Sequence, residues 1–194
     1  MNFSPMKHPG VLTSLEIVRD RPVTSHRSAI RSIAIFTVRR CPEYVARFTS
    51  EHYAFDRDCS RADIIAGIAK SIALDATLIA KAHPPSEHRL RHTFVNGGPV
   101  PPTDLQLIRR QRKDLELLPL ECREAALDET AAFYGIRRAG PAASIFAQSR
   151  RAADEAQVLW ATLLATRCRE NDRTSLCSAF QAWRAIENAR PLPF

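Results

Sequence analysis

Glycine is scarce in this chain, with six in 194 residues. That argues against a glycine-rich phosphate-cradling loop or a dinucleotide-binding crevice, both of which need several glycines for close backbone approach. There is no Gly-x-Ser-x-Gly elbow and no papain-like cysteine context, so nucleophilic hydrolysis has no sequence support. The five cysteines (Cys41, Cys59, Cys122, Cys168 and Cys177) are scattered, odd in number and free of Cys-x-x-Cys spacing. They read as reduced thiols, not as a disulfide frame or a zinc site. No stretch approaches the roughly 20 apolar residues of a membrane span. The opening "MNFSPMKHPG" lacks the charged-then-apolar pattern of an export signal. The expectation is a cytoplasmic protein with no membrane partner.

Lysine is scarce too: only four of the 28 basic residues are lysines, so arginine carries the net charge of +7. Guanidinium forks suit phosphates, and a basic surface favours polyanions. Two clusters are candidates for nucleic-acid contacts: Arg109, Arg110, Arg112 and Lys113, and a second patch of Arg137, Arg138, Arg150 and Arg151. The competing reading of both clusters is a solvated surface.

What remains is a chain 45% apolar, long enough to bury one real core. "GVLTSLEIVRD" (10–20) has the branching of a buried strand but holds a carboxylate, Glu16, which is costly there unless something pairs with it. A second strand is expected in "AIRSIAIFTVRR" (29–40) and a third, antiparallel one in "EYVARFTS" (43–50), where Tyr44, Ala46 and Phe48 alternate with Val45, Arg47 and Thr49. "RADIIAGIAKSIAL" (61–74) has helical spacing, and "ATLIA" (76–80) is a continuous apolar run expected of a central strand. Helices are expected over 103–115, over 122–136 with Gly135 near its end, over 150–168 and over 174–189. The fold class is therefore mixed α/β.

On a wheel of about 100° per residue, Ala152, Ala156, Leu159 and Leu163 form the buried stripe of the 150–168 helix. Arg151, Glu155 and Thr162 share the polar arc, and Asp154 falls with Val158, Ala161 and Ala165 in a second small-residue patch. An acid there is expected to point into a crevice.

"LDETAAFYGIRRAG…SRRAADEAQVLWATLLA" resembles the closing third of the proofreading-type 3′–5′ exonucleases, the DEDDh group of the ribonuclease H-like fold. "ATLIAKAHPPSEHRL" resembles that family's strand-then-helix segment, "LTSLEIV" its first strand carrying Asp-x-Glu, and "AIRSIAIFTV" its second. The likeness spans roughly residues 9–168 and implies a ribonuclease H-like mixed sheet, three antiparallel strands and then parallel ones, flanked by helices. It implies an exonuclease-like domain over 9–172 and a helical extension over 173–194, packing on the domain or on a partner through Leu176, Phe180 and Trp183.

In that family four carboxylates hold two metal ions and a histidine activates the attacking water. Carried over residue by residue, Glu16 matches the Glu of the first motif but Ser14 stands at its Asp. Ser86 stands at the middle Asp, Ser149 at the His, and Asp154 at the last Asp. Two ligands of four survive, Glu16 and Asp154, enough for a weakly held metal or none. Neutral serines leave a two-metal cluster under-compensated. The expected function is a degenerate exonuclease, a pseudoenzyme without cofactor, binding nucleic acid or a protein partner. Two alternatives stand beside it. One is an active exonuclease using Mg²⁺ or Mn²⁺ on Glu16 and Asp154, with His83 as a replacement base. The other is a protein-interaction module that dimerises through its C-terminal helix. His88 and His92 have i, i+4 zinc spacing, but no cysteine or acid completes a ligand set.

Overall fold

The computed structural model describes residues 10–20, 29–42, 45–56, 58–81, 104–120, 123–139 and 143–189. Ser86 and the histidines at 83, 88 and 92 lie outside the described residues.

Five strands form one mixed sheet: β1 (Val11–Arg19), β2 (Ile30–Arg39), β3 (Arg47–Ala54), β4 (Ala76–Lys81) and β5 (Glu116–Leu120). Their spatial order is β3-β2-β1-β4-β5. β1–β2 and β2–β3 pair antiparallel, while β1–β4 and β4–β5 pair parallel. The helices are α1 (Arg61–Ser71), α2 (Asp104–Gln111), α3 (Glu124–Phe133), α4 (Ile145–Arg167) and α5 (Glu170–Ala189). No helix among the described residues is long and apolar enough to cross a membrane.

Alternation along β1 sorts the core into two layers. Val11, Leu15 and Ile17 meet α1 and α2, in a cluster with Ile33, Ile35, Ile64, Ile65, Ile68 and Ile108. Leu12 and Val18 face the other way, into a cluster with Trp160, Leu163, Leu127 and Phe180 from α4, α3 and α5. Ser14 and Glu16 share the parity of Leu12 and Val18, so they point at α4.

Several elements differ from the sequence reading: α4 begins at Ile145 rather than 150 and α5 at Glu170 rather than 174. The third strand runs over 47–54, not 43–50, because its ladder with β2 begins at Arg47, opposite Arg39. The 103–115 helix stops at Gln111, where a turn at Lys113 and Asp114 leads into β5. β5 itself, "ELLPL", has no counterpart in the sequence reading. It contains Pro119, which a sheet tolerates at an edge, and β5 is an edge strand.

Helix ends follow local chemistry. Ser60 caps α1, its Oγ accepting from the Asp63 N–H at 3.1 Å, and Ser144 caps α4 by accepting from the Ala147 N–H at 3.3 Å. α3 ends in a Schellman turn: Gly135 takes φ 62°, the Ile136 N–H donates to the Ala131 carbonyl at 2.8 Å and the Gly135 N–H to Ala132 at 3.2 Å. This turn brings Arg138 and Ala139 to Glu155, beside Glu16.

The C-terminal helix packs on the same core. Phe36, Phe48, Trp160, Phe180 and Trp183 form one aromatic cluster, with ring centroids 5.0 to 6.2 Å apart. Leu176 and Phe180 are buried.

Candidate functional site

Glu16 and Ser14 lie on the α4 face of β1, at the carboxyl end of the parallel pair β1–β4. Ser14 is fully buried, and its Oγ donates to the Ala156 carbonyl oxygen at 2.6 Å. Its hydroxyl is spent on tying the strand to the helix and presents no open oxygen to a metal.

Glu16 is half-buried, and the protein around it desolvates its carboxylate. Burial, reinforced by the like charge of Glu155, pushes its pKa up to about 7, against the pull of Lys81 and Arg138; Glu124 adds to the rise. These four residues name the site's contents. Lys81 comes from the end of β4, Glu124 from the start of α3, Glu155 from α4, and Arg138 from the chain after the α3 turn.

Arg138 is the centre. Its Nε donates to Glu155 Oε2 at 2.9 Å, Nη2 to Glu124 Oε2 at 2.9 Å, and Nη1 to Asp128 Oδ1 at 2.6 Å. Its side chain is only 8% exposed. The Ala139 N–H donates to the second Glu155 oxygen at 3.1 Å, and Lys81 pairs with Glu124. Burial raises the Glu124 pKa, but the hydrogen bonds from Lys81 and Arg138 outweigh it and hold the group below its usual range. A guanidinium presents five donors in a rigid plane, so one arginine can bind several carboxylates at once.

Several sequence expectations are corrected here. The α4 acid acting on Glu16 is Glu155, not Asp154. Asp154 pairs with Arg151 at 3.2 Å and with Arg184 of α5 at 3.6 Å. The polar arc expected for Arg151, Glu155 and Thr162 does not exist as such. Thr162 is 1% exposed and the Glu155 side chain 15%. Ser149, at the position of the family's histidine, is half-buried one turn before Ala153.

Among the basic residues, Arg138 is not a surface phosphate fork but the hub of the ion-pair network. Arg112 is likewise structural. Its Nη1 donates to the Ala69 and Ile72 carbonyls at 2.9 and 2.8 Å and its Nη2 to Ala73 at 3.2 Å, closing the end of α1, while Asp114 holds its other edge. Arg151 is half-buried on Asp154. Arg109, Arg110, Lys113, Arg137 and Arg150 are exposed. Arg150 stacks over Phe146, 5.6 Å from its ring centroid, and Phe146 is itself 71% exposed.

The sequence reading did not single out Lys81, Glu124 or Asp128 for the site. Their only signal was position: Lys81 ends the apolar run of β4, and Glu124 opens α3, where an acid suits the helix dipole.

Ser14 donates to Ala156, Asp154 pairs with Arg151 and Arg184, and Arg138 and Lys81 pair with Glu155, Glu124 and Asp128. Among the described residues, no group of three or more His, Cys, Asp or Glu is arranged to hold a metal ion. No family model matches the chain, and no curated protein matches it.

Proposed function

We propose that the chain is a catalytically silent relative of the DEDDh 3′–5′ exonucleases, with a ribonuclease H-like fold kept for binding nucleic acid. The observation that carries this reading is Arg138, a protein cation held among Glu155, Glu124 and Asp128 beside Glu16, where the resemblance expects divalent metals. The strand order, with three antiparallel strands followed by two parallel ones, supports the same reading, as does Ser14 in the place of a bridging carboxylate. The last-helix acid at the crevice is then Glu155, one residue beyond the aligned Asp154.

Binding rests on the exposed cations, Arg137 after α3, Arg150 on α4, and Arg109, Arg110 and Lys113 on and after α2, with Phe146 as a surface on which a base can stack. Such contacts go to phosphates and are independent of sequence. The test is a purified preparation incubated with 3′-labelled single- and double-stranded DNA and RNA in Mg²⁺ and in Mn²⁺, with binding measured across a salt series. Full-length strands and binding that weakens steeply with salt are expected. Shortening from the 3′ end that Glu16→Gln abolishes sinks the silent-site part. No binding at the lowest salt sinks the nucleic-acid part.

A further inference from the structure

The geometry points to a two-fold homodimer formed by antiparallel pairing of β3 with the β3 of a second copy, extending the sheet from five strands to ten. β3 is an edge strand of eight residues, paired with β2 in an unbroken register from Arg47 to Ala54. The opposite edge, β5, is five residues long and carries Pro119, whereas β3 ("RFTSEHYA") has no proline, no lysine and no bulge. Natural sheets protect exposed edges with those devices, and an edge without them is a template for another strand.

The backbone fixes which groups are offered. The Phe55 N–H donates to the Arg31 carbonyl at 2.9 Å. By alternation in an antiparallel ladder, residues 47, 49, 51 and 53 turn their N–H and C=O to β2, and residues 48, 50 and 52 turn theirs outward. A second copy must therefore bond to Phe48, Ser50 and His52.

The side chains then select one register. A two-fold centred on Arg47 or on Glu51 sets like charges face to face. Centred on Phe48 or Ser50, it leaves both charges without an opposite partner. Centred on Thr49, it sets Arg47 against the partner's Glu51 twice. These fall on non-hydrogen-bonded pairs, where side chains approach most closely. Tyr53, on the same face of β3, is one of the few large apolar residues left exposed, at 42%. Among the described residues Arg47 has no ionic partner. The outward hydrogen bonds fall on Phe48 with the partner's Ser50, which the backbone phase requires.

The other face of the edge is open to the same occupant. A groove of about 1010 Å³ lies between β3 and α5, lined by Ala46, Phe48, Ser50, Ala182, Trp183 and Ile186. Ile186 is 60% exposed. A partner strand laid on β3 brings the partner's Phe48 to this groove. The interface is thus self-complementary on both faces of the sheet, as an isologous contact must be.

Light scattering and sedimentation of the full chain test this. The wild type is expected at twice the 21.8 kDa chain mass. Ser50→Pro removes an outward N–H without touching the ladder to β2 and is expected to give monomer. Arg47→Glu is expected to raise the dimer dissociation constant at least ~10-fold, by losing two cross-strand pairs and creating two repulsions. Arg47→Glu combined with Glu51→Arg is expected to restore dimerisation, an outcome that stands even if Ser50→Pro does not fold. Thr49→Cys, opposite itself across the axis, is expected to give a disulfide-linked dimer without reductant that the wild type does not form. A wild type that stays monomeric up to its solubility limit overturns the proposal. So does a dimer that Arg47→Glu leaves unchanged.

Discussion

Ser14 Oγ donates to the Ala156 carbonyl at 2.6 Å, so the first strand and the longest helix are joined by a neutral hydroxyl at the place where a metal-binding carboxylate is expected from the resemblance. Ser14→Asp therefore does not rebuild an active site. A carboxylate there accepts only, faces a carbonyl that also only accepts, and has no room for water. A loss of ~2 kcal/mol or more in unfolding free energy is expected by urea titration, with no nuclease activity in Mn²⁺. Activity appearing in this single variant contradicts the site described above.

Arg138 is more costly to remove than any exposed arginine. Arg138→Met leaves Glu155 without an ionic partner beside Glu16, held only by the Ala139 N–H, with Glu124 held by Lys81 alone. Breaking one partner of a buried ion-pair network costs about 3–5 kcal/mol. Part of that stability is expected to return as pH is lowered toward 5, because protonation of the crowded acids removes their repulsion. Chemical denaturation at pH 5 and pH 8 checks both the loss and its pH dependence.

How much of this site was legible in the sequence is clear from Glu16 and Glu155. An acid in an apolar strand signalled a buried partner, and the alternation of β1 set its direction. The partner itself was not legible, because Arg138 lies 122 positions along the chain and reaches the crevice only after the Gly135 turn. The helical wheel put Asp154 inward and Glu155 outward. Which side of α4 is covered depends on α5, whose Arg184 takes Asp154, and on the 136–139 segment, which takes Glu155. β5 was missed for a local reason: five residues with a proline carry no strand pattern, and only the lining up of Leu117 and Leu118 with Leu78 and Ile79 makes them one.

The raised pKa of Glu16 gives stability a defined pH dependence. The folded protein holds the Glu16 proton up to about pH 7, whereas the unfolded chain releases it near 4.3. Between those values the folded state binds more protons, so unfolding free energy falls as pH rises through the window and levels off above it. The size of the effect is up to ~4 kcal/mol. Glu16→Gln is expected to flatten this part of the stability–pH curve and to be the more stable protein at pH 8. Parallel curves for the two proteins between pH 4.5 and 8 contradict the assignment.

Arg112 and Arg109 lie three residues apart and are expected to behave oppositely. Arg112→Ala removes the donors that close the end of α1 at Ala69, Ile72 and Ala73. Hydrogen bonds from a charged group to otherwise unmet carbonyls are worth about 1.5–3 kcal/mol, so a loss of that order is expected in unfolding free energy. Its nucleic-acid affinity, measured on the folded fraction, is expected to stay unchanged, because the guanidinium is committed to the protein. Arg109→Ala changes an exposed side chain on α2. Its stability is expected to stay within ~0.5 kcal/mol of wild type, while the slope of log affinity against log salt becomes shallower by ~1 for a lost phosphate contact. The decisive comparison is the two variants side by side in thermal melts and salt-titrated binding. If Arg112→Ala weakens binding and leaves the melt unmoved, the structural role assigned to it is wrong.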